Sequence, residues 1–127
     1  MPLRSEELIW LAGFWEGDGS CGCYDKKGHN ISRRTGQKKT YWYKVFRMTV
    51  SQKQPYIAWW LRRKAGGGTI VKQGGRQKYG DKVTDWRFEG QPACKLLKRM
   101  VKYMKTQHKR TQAMEAIKSY ENYAAKV

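Results

Sequence analysis

The spacing of apolar residues changes along this chain from a helical period to a strand period and back. Between Ser5, the expected N-cap, and Gly19, the expected end, apolar residues recur every three to four positions, which indicates a helix. Segments that alternate between two faces and are rich in β-branched and aromatic residues indicate strands. The predicted order is helix, two strands, helix, two strands and two helices, over residues 5–19, 20–25, 41–53, 55–65, 69–73, 82–89, 92 onward and 107–123.

The segment 41–53 is the clearest predicted strand, and its two faces differ in kind. One face is apolar and consists of Phe46, Met48 and Val50. The other face carries hydrogen-bonding side chains, namely Tyr43, Arg47, Thr49 and Ser51. Side chains of this kind can read base edges in the major groove of DNA. An ordinary solvated sheet face is the alternative interpretation of the same pattern.

A polar segment joins the two strands of each predicted pair. Residues 26–40 consist mainly of Lys, Arg, Gly, Ser, Thr, Gln and Asn, so they form either a loop or the tip of an extended hairpin that can follow a phosphate backbone. Residues 74–81 connect the second pair. The candidate DNA contacts on strands and tips are Tyr24, Lys26, Arg33, Arg34, Lys38, Tyr43, Arg47, Thr49, Gln73, Arg76, Lys78, Asp85 and Arg87.

The charge balance indicates a polyanionic partner. The 127 residues, enough for one domain with one core, include 27 Lys and Arg against 10 Asp and Glu, a formal net charge of +17. Membrane surfaces also attract basic chains, but the positive charge is spread through every segment, and no long apolar run or signal peptide is visible. We therefore expect a nucleic acid, and neither a membrane nor a small-molecule substrate, as the partner.

Cysteine and histidine are too sparse to form a metal cluster. Cys21, Cys23 and Cys94 are odd in number and lack the paired spacings of a zinc site, so we interpret them as reduced, structural thiols of an intracellular protein. His29 and His108 lie far apart in the sequence, and no Ser-His-Asp motif is present.

The first helix contains residues that a purely structural helix would avoid. Gly13 and Gly17 lie four positions apart on one face, and each costs about 1 kcal/mol relative to alanine in a helix interior. Such a face permits close approach of another helix. Asp18 stands in the last turn, where the helix dipole already presents negative charge, and a divalent cation would resolve this conflict. The alternative is that Asp18 and Gly19 merely form a turn.

The nonapeptide 11–19 resembles the signature of the LAGLIDADG homing endonucleases. It matches that signature at Leu11, Ala12, Gly13, Asp18 and Gly19, whereas Trp15 is larger than the usual aliphatic residue and Glu16 replaces the commoner aspartate at a position the family does not need for metal. The resemblance implies an α+β fold, a single αββαββα unit whose curved four-stranded antiparallel sheet sits on the DNA major groove, with an additional C-terminal helix.

The same resemblance implies roles for individual residues. Asp18 and the Gly17 carbonyl would hold Mg²⁺, although Mn²⁺ or Ca²⁺ can occupy such a site. Gln52, at the end of the clearest strand, would order the attacking water, unless it is simply a solvated strand-end residue. Lys109, or Lys105 as the second choice, would supply the basic group of the active site, and a solvated helix lysine is the alternative.

The number of catalytic carboxylates implies a homodimer. One chain supplies one Asp18, whereas a double-strand break in double-stranded DNA requires a centre for each scissile phosphate. The expected interface is Leu11, Gly13, Phe14 and Gly17, and a two-fold dimer predicts a long, roughly palindromic target. Some members of the family act instead as maturases on intron RNA or as DNA-binding proteins without cleavage, and these are the alternative functions, together with a basic RNA-binding protein of ribosomal type.

Overall fold

The order of elements is the predicted one. A computed structural model of the chain describes residues 3–73 and 83–126. The elements are α1 (Ser5–Asp18), β1 (Gly19–Ile31), β2 (Lys38–Gln52), α2 (Pro55–Ala65), β3 (Thr69–Gln73), β4 (Val83–Glu89), α3 (Gln91–Val101) and α4 (Gln107–Lys126). The fold is α+β with a curved, four-stranded antiparallel sheet, which confirms the fold class.

The sheet has one covered face and one open face. Its strand order is β1-β2-β4-β3, with every neighbouring pair antiparallel. The helices pack against the predicted apolar face, where Phe46, Met48 and Trp86 are each 0% exposed. On the opposite face the register places Gly22, Arg47 and Glu89 side by side on three successive strands. The polar side chains of the middle strand therefore lie on a surface that no helix covers.

The segment 26–40 is an extended hairpin rather than a loop. Pairing of β1 with β2 continues without interruption from Gly19 opposite Val50 to Ile31 opposite Lys38. The turn is closed by the Ser32 N–H, which donates to the Gln37 carbonyl at 2.9 Å. Gly36 supplies the positive φ of 70° in this turn. Residues 24–31 and 38–45 of the hairpin include no buried side chain, so they show no apolar alternation from which the length of the strands could be predicted.

The N-terminus of α1 differs from the prediction. Arg4, not Ser5, occupies the N-cap position, and Ser5 is the first helical residue. The carboxylate of Glu7 accepts a hydrogen bond from the Arg4 backbone N–H at 3.1 Å, so a residue inside the helix satisfies the backbone N–H of the N-cap residue. The end at Gly19 is confirmed.

Two large apolar residues of the helices are exposed. Trp59 of α2 is 49% exposed, and Met114 of α4 is 54% exposed. The buried face of α4 consists instead of Ala113, Ala116 and Ile117, since small residues let this helix approach the sheet and α3 closely. None of the helices in residues 3–73 and 83–126 is both long and apolar enough to span a membrane.

Candidate active site and open sheet face

The end of α1 meets the end of β2. The chain passes from Asp18 at the last turn of α1 directly into Gly19 of β1, and Gly19 pairs with Val50, two residues before Gln52. This register brings the two side chains together, and the Gln52 Nε2 donates a hydrogen bond to Asp18 Oδ2 at 2.9 Å. Two residues that lie 34 positions apart in the chain thus occupy one site.

The first turn of α4 adds a cation to this site. The Lys109 ammonium donates a hydrogen bond to the Gly19 carbonyl and lies 5.3 Å from the centroid of the Trp15 ring. Lys105, the second choice for the basic residue, lies before α4 begins, and its backbone N–H rather than its side chain makes the contact with α1 described below. The structure therefore brings Asp18, Gln52 and Lys109 together.

Trp15 supports this cluster from the core side. Its side chain is 0% exposed, so the residue that is larger than the usual aliphatic one faces the interior of its own chain. A Cβ atom at position 19 would overlap the Trp15 ring, which explains why glycine follows Asp18 although its φ of −98° requires no glycine. Gly19 therefore permits close packing of the ring, with the Lys109 ammonium bound at its carbonyl.

Glu16 is a site residue to which the sequence assigned no role. Its carboxylate accepts hydrogen bonds from the Lys105 N–H at 3.0 and 2.8 Å and from the Thr106 N–H at 2.6 Å. Burial acts to raise the pKa of this carboxyl, but the backbone hydrogen bonds outweigh it, and the pKa lies below its ordinary value. The acidic residue inside the nonapeptide was a signal that a partner exists. The sequence could not identify that partner, because the partners are backbone N–H groups 89 and 90 positions away.

The outer face of α1 is open. Gly13 and Gly17 are exposed, and a Cβ atom at either position would meet nothing within 4 Å. Beside them Phe14 stacks on Trp10 with ring centroids 5.0 Å apart, and Trp10 is 47% exposed. Leu11, which was also assigned to the interface, is only 1% exposed in the core, since it lies on the opposite side of the helix. A partner helix can therefore approach Gly13, Phe14 and Gly17 but not Leu11.

The oxygen donors at this end of α1 have the chemistry that Mg²⁺ prefers, but one chain offers few of them. Asp18 is exposed, and the carbonyls of the last helical turn lie beside it. Among the described residues, no group of three or more His, Cys, Asp or Glu side chains is placed to hold a metal ion. The Asp18 carboxylate and the Gly17 carbonyl thus have the oxygen chemistry that fits Mg²⁺, and the remaining ligands would come from outside these two residues.

A carboxylate organises the cations of the open sheet face. Glu89 of β4 accepts from the Arg47 guanidinium at 3.2 Å and from the Lys26 ammonium at 3.4 Å. Arg47 also lies 5.7 Å from the centroid of the Tyr24 ring. Tyr24, Lys26 and Arg47 were predicted DNA contacts, whereas Glu89 was missed, since its pairing with Arg47 depends on a register between non-consecutive strands.

Asp85 is placed differently from the other predicted contacts. It is 3% exposed, so its carboxylate is shielded rather than presented to DNA. It accepts hydrogen bonds from the Ser51 hydroxyl at 2.6 Å and from the Arg87 guanidinium at 3.1 Å. Asp85 therefore orients two neighbouring side chains of the open face, which corrects its assignment as a contact residue.

The remaining predicted contacts divide between the sheet and the hairpin tip. Tyr43 and Thr49 are half-buried on the open face, while Arg33 and Arg34 are exposed in the hairpin turn. Lys38 is exposed at the start of β2, where strand alternation gives it the side of Phe46 rather than that of Arg47. Arg76, Lys78 and the side chain of Gln73 lie outside the part of the chain that the structure describes.

The three cysteines are free, as expected for reduced thiols. Cys21 and Cys94 are buried, and Cys23 is half-buried. Burial raises the pKa of Cys21 to about 11, although the nearby Lys109 opposes this shift. The Cys21 thiol is therefore protonated and unreactive near neutral pH, which fits a structural role.

Comparison with known proteins identifies the fold. No protein-family model matches the chain, and no curated protein matches it. Among solved structures, the homing endonuclease I-CvuI in complex with its target aligns with a TM-score of 0.65 and 20% identity over 94% of this chain and 68% of that one. The archaeal intron-encoded homing endonuclease I-Vdi141I, complexed with DNA, aligns with a TM-score of 0.58 and 16% identity over 92% of this chain and 70% of that one.

A third solved structure extends the same comparison. The meganuclease I-SmaMI bound to uncleaveable DNA aligns with a TM-score of 0.63 and 21% identity over 97% of this chain but 39% of that one. The chain therefore has the fold of the LAGLIDADG homing endonucleases, as the nonapeptide 11–19 implied.

Proposed function

We propose that the protein is a site-specific DNA endonuclease that acts as a homodimer and requires a divalent cation, with Mg²⁺ as the expected ion. The observation that carries this proposal is the hydrogen bond between Gln52 and Asp18, with Lys109 on the neighbouring carbonyl. A carboxylate, an amide and an ammonium group meet there beside an open, basic sheet. The similarity of fold to endonucleases solved with DNA supports the same function.

Each residue of this cluster has a distinct chemical task. Asp18, with the Gly17 carbonyl, would hold Mg²⁺, which when bound polarises the scissile phosphate and stabilises the leaving 3′ oxygen. Gln52 uses its amide N–H on Asp18, so its amide oxygen stays available to accept a hydrogen bond from the attacking water and align it. The Lys109 ammonium offsets negative charge that develops on the phosphate.

The open sheet face and the hairpin tip would bind the DNA. Side chains that point away from the core, such as Tyr24, Lys26, Arg47 and Arg87, would contact base edges, and Asp85 accepts a hydrogen bond that orients Arg87. Arg33 and Arg34 in the exposed turn would contact phosphates, which gives affinity without sequence information.

Dimerisation would supply the second catalytic centre. Two α1 helices that packed through Gly13 and Gly17 would bring their Asp18 carboxylates near each other. Divalent cations bound between the two carboxylates would offset their repulsion. A two-fold axis through this interface predicts a roughly palindromic target, because the symmetry of the protein is mirrored in the two half-sites.

The first experiment is a selection of cleaved sequences from a randomised palindromic DNA library in the presence of Mg²⁺. Wild-type protein and Asp18→Asn are treated in parallel, since asparagine keeps the size of the side chain and an oxygen that can accept from Gln52. We expect cleavage by the wild type alone, while both proteins bind the recovered site. If neither protein cuts and both bind DNA or structured RNA tightly, the endonuclease proposal is refuted in favour of a binding or maturase function.

A further inference from the structure

The carboxylate of Glu16 joins the end of α1 to the start of α4. It stands two positions before Asp18, and its two oxygens accept the N–H groups of Lys105 and Thr106 at 2.6 to 3.0 Å. Thr106 is the residue at which α4 starts to form its hydrogen bonds, since its carbonyl accepts from the Arg110 N–H at 3.0 Å. Glu16 thus binds the N-terminal end of a helix that belongs to a distant part of the chain.

The position of α4 decides where the Lys109 ammonium lies. Lys109 is in the first turn of α4, and its long, flexible side chain reaches the Gly19 carbonyl. Lysine has many rotamers, so the ammonium is well placed only if the backbone from which it extends is fixed. The contact between Glu16 and α4 fixes that backbone directly beside the turn from Asp18 to Gly19.

We infer that Glu16 is a positioning residue of the active site, which docks the N-terminus of α4 on the end of α1 so that Lys109 reaches the reacting phosphate. This inference rests on the proposed endonuclease function. It assigns to Glu16 a task that acts through Lys109 and requires no contact between Glu16 and the metal, the water or the DNA. A carboxylate that merely stabilised α4 would have the same contacts but no specific link to Lys109.

A double-mutant cycle separates these two roles. Glu16→Gln removes the charge and one of the two accepting oxygens, and Lys109→Met keeps most of the length of the side chain without the ammonium. The two single variants and the double variant are compared with the wild type by single-turnover cleavage of the selected site, by DNA affinity in Ca²⁺ and by thermal melting. Glu6→Gln is the matched control, because Glu6 is exposed in the first turn of the same helix.

We expect Glu16→Gln to slow the cleavage step about tenfold, the size of a lost charge-assisted hydrogen bond, with little change in DNA affinity. In the Lys109→Met background the same substitution should have no further effect, because the residue through which it acts is gone. Hydrogen exchange should show faster exchange of the Lys105 and Thr106 amides in Glu16→Gln. Glu6→Gln should match the wild type in every assay.

The results that would overturn the inference are distinct from those that would overturn the function. If the wild type cuts and Glu16→Gln slows cleavage equally in both backgrounds, Glu16 does not act through Lys109. If the wild type cuts and Glu16→Gln cuts at the same rate, Glu16 has no positioning role. If the wild type cuts no sequence at all, the proposed function is wrong, and the inference that rests on it is wrong as well.

Discussion

Consecutive residues at the end of α1 have four different surroundings. Trp15 lies in the core, Glu16 binds the start of α4, Gly17 is exposed on the outer face of α1, and Asp18 accepts a hydrogen bond from Gln52. A helix turns by about 100° per residue, so successive side chains point in different directions and together cover most of its circumference. One helical turn of the signature thus carries three residues with specific contacts and one exposed glycine.

The packing of Trp15 on Gly19 gives a prediction about stability. Gly19→Ala should lower the free energy of unfolding by about 1–3 kcal/mol, because the added methyl group forces the buried ring out of its position. Urea denaturation of Gly19→Ala and of Ser20→Ala, an exposed neighbour, measures the difference. Equal stability of Gly19→Ala and the wild type would contradict the close packing of the ring on this glycine.

At the scale of elements, an ion pair joins α1 to α2. The Lys64 ammonium lies 2.7 Å from the Glu7 carboxylate. The hydrogen bond from Lys64, followed by that from the Arg4 backbone, lowers the pKa of Glu7 from 4.5 to about 2 against a smaller opposing effect of burial. The folded pKa is depressed, so this carboxylate contributes stability that is fully present above pH 4.5 and is lost as the pH falls to about 2.

Acid unfolding of Glu7→Gln tests this contact. At neutral pH we expect the variant to be less stable than the wild type, and the difference should shrink as the pH falls from about 5 to about 2. Chemical denaturation at several pH values measures it. Glu6→Gln serves as the control, and a difference that stays constant with pH would show that the ionised form of Glu7 does not stabilise the two helices.

The elements that could be predicted are those with local signals. A few neighbouring residues are enough to predict the helix ends at Gly19 and Gly66. The same is true of the apolar face of β2. The length of the β1–β2 hairpin was not predictable in this way, because cross-strand pairs such as Lys44 with Asp25, 3.0 Å apart, replace apolar burial there.

The resemblance named Asp18, Gln52 and Lys109 as candidate site residues, but it did not predict the contacts between them. In the structure Gln52 donates to Asp18, and Lys109 donates to the carbonyl of the next residue. The contacts of Glu16 with α4 and of Glu89 with Arg47 join positions that are distant in sequence. Such contacts depend on the sheet order and on helix docking, which no local pattern specifies.

At the scale of the whole molecule, the proposed dimer predicts that one substitution, Gly13→Ala, has opposite effects on the stability of the chain and on its self-association. Gly13→Ala should raise the stability of the single chain by up to about 1 kcal/mol, because alanine favours the helix and a Cβ there meets nothing within 4 Å. The same methyl group should weaken self-association, because it prevents close approach of a second helix.

Sedimentation velocity over a range of concentrations, together with thermal melting, distinguishes these effects. Asn122→Ala, an exposed substitution in α4, is the control and should leave self-association unchanged. If Gly13→Ala associates as tightly as the wild type, the interface lies elsewhere. Because each chain carries a net charge of +17, the measurement should be made both without and with a DNA duplex, which relieves repulsion between two such chains.

The long hairpin has a consequence for how substitutions in it would act. Residues 24–31 and 38–45 include no buried side chain, so the segments proposed to contact DNA contribute little to the core that carries Asp18, Gln52 and Lys109. Substitutions at exposed positions away from special contacts usually change stability by less than about 0.5 kcal/mol. Under the proposed function, substitutions in this hairpin would therefore change its contacts with DNA while the core and the three site residues stay intact.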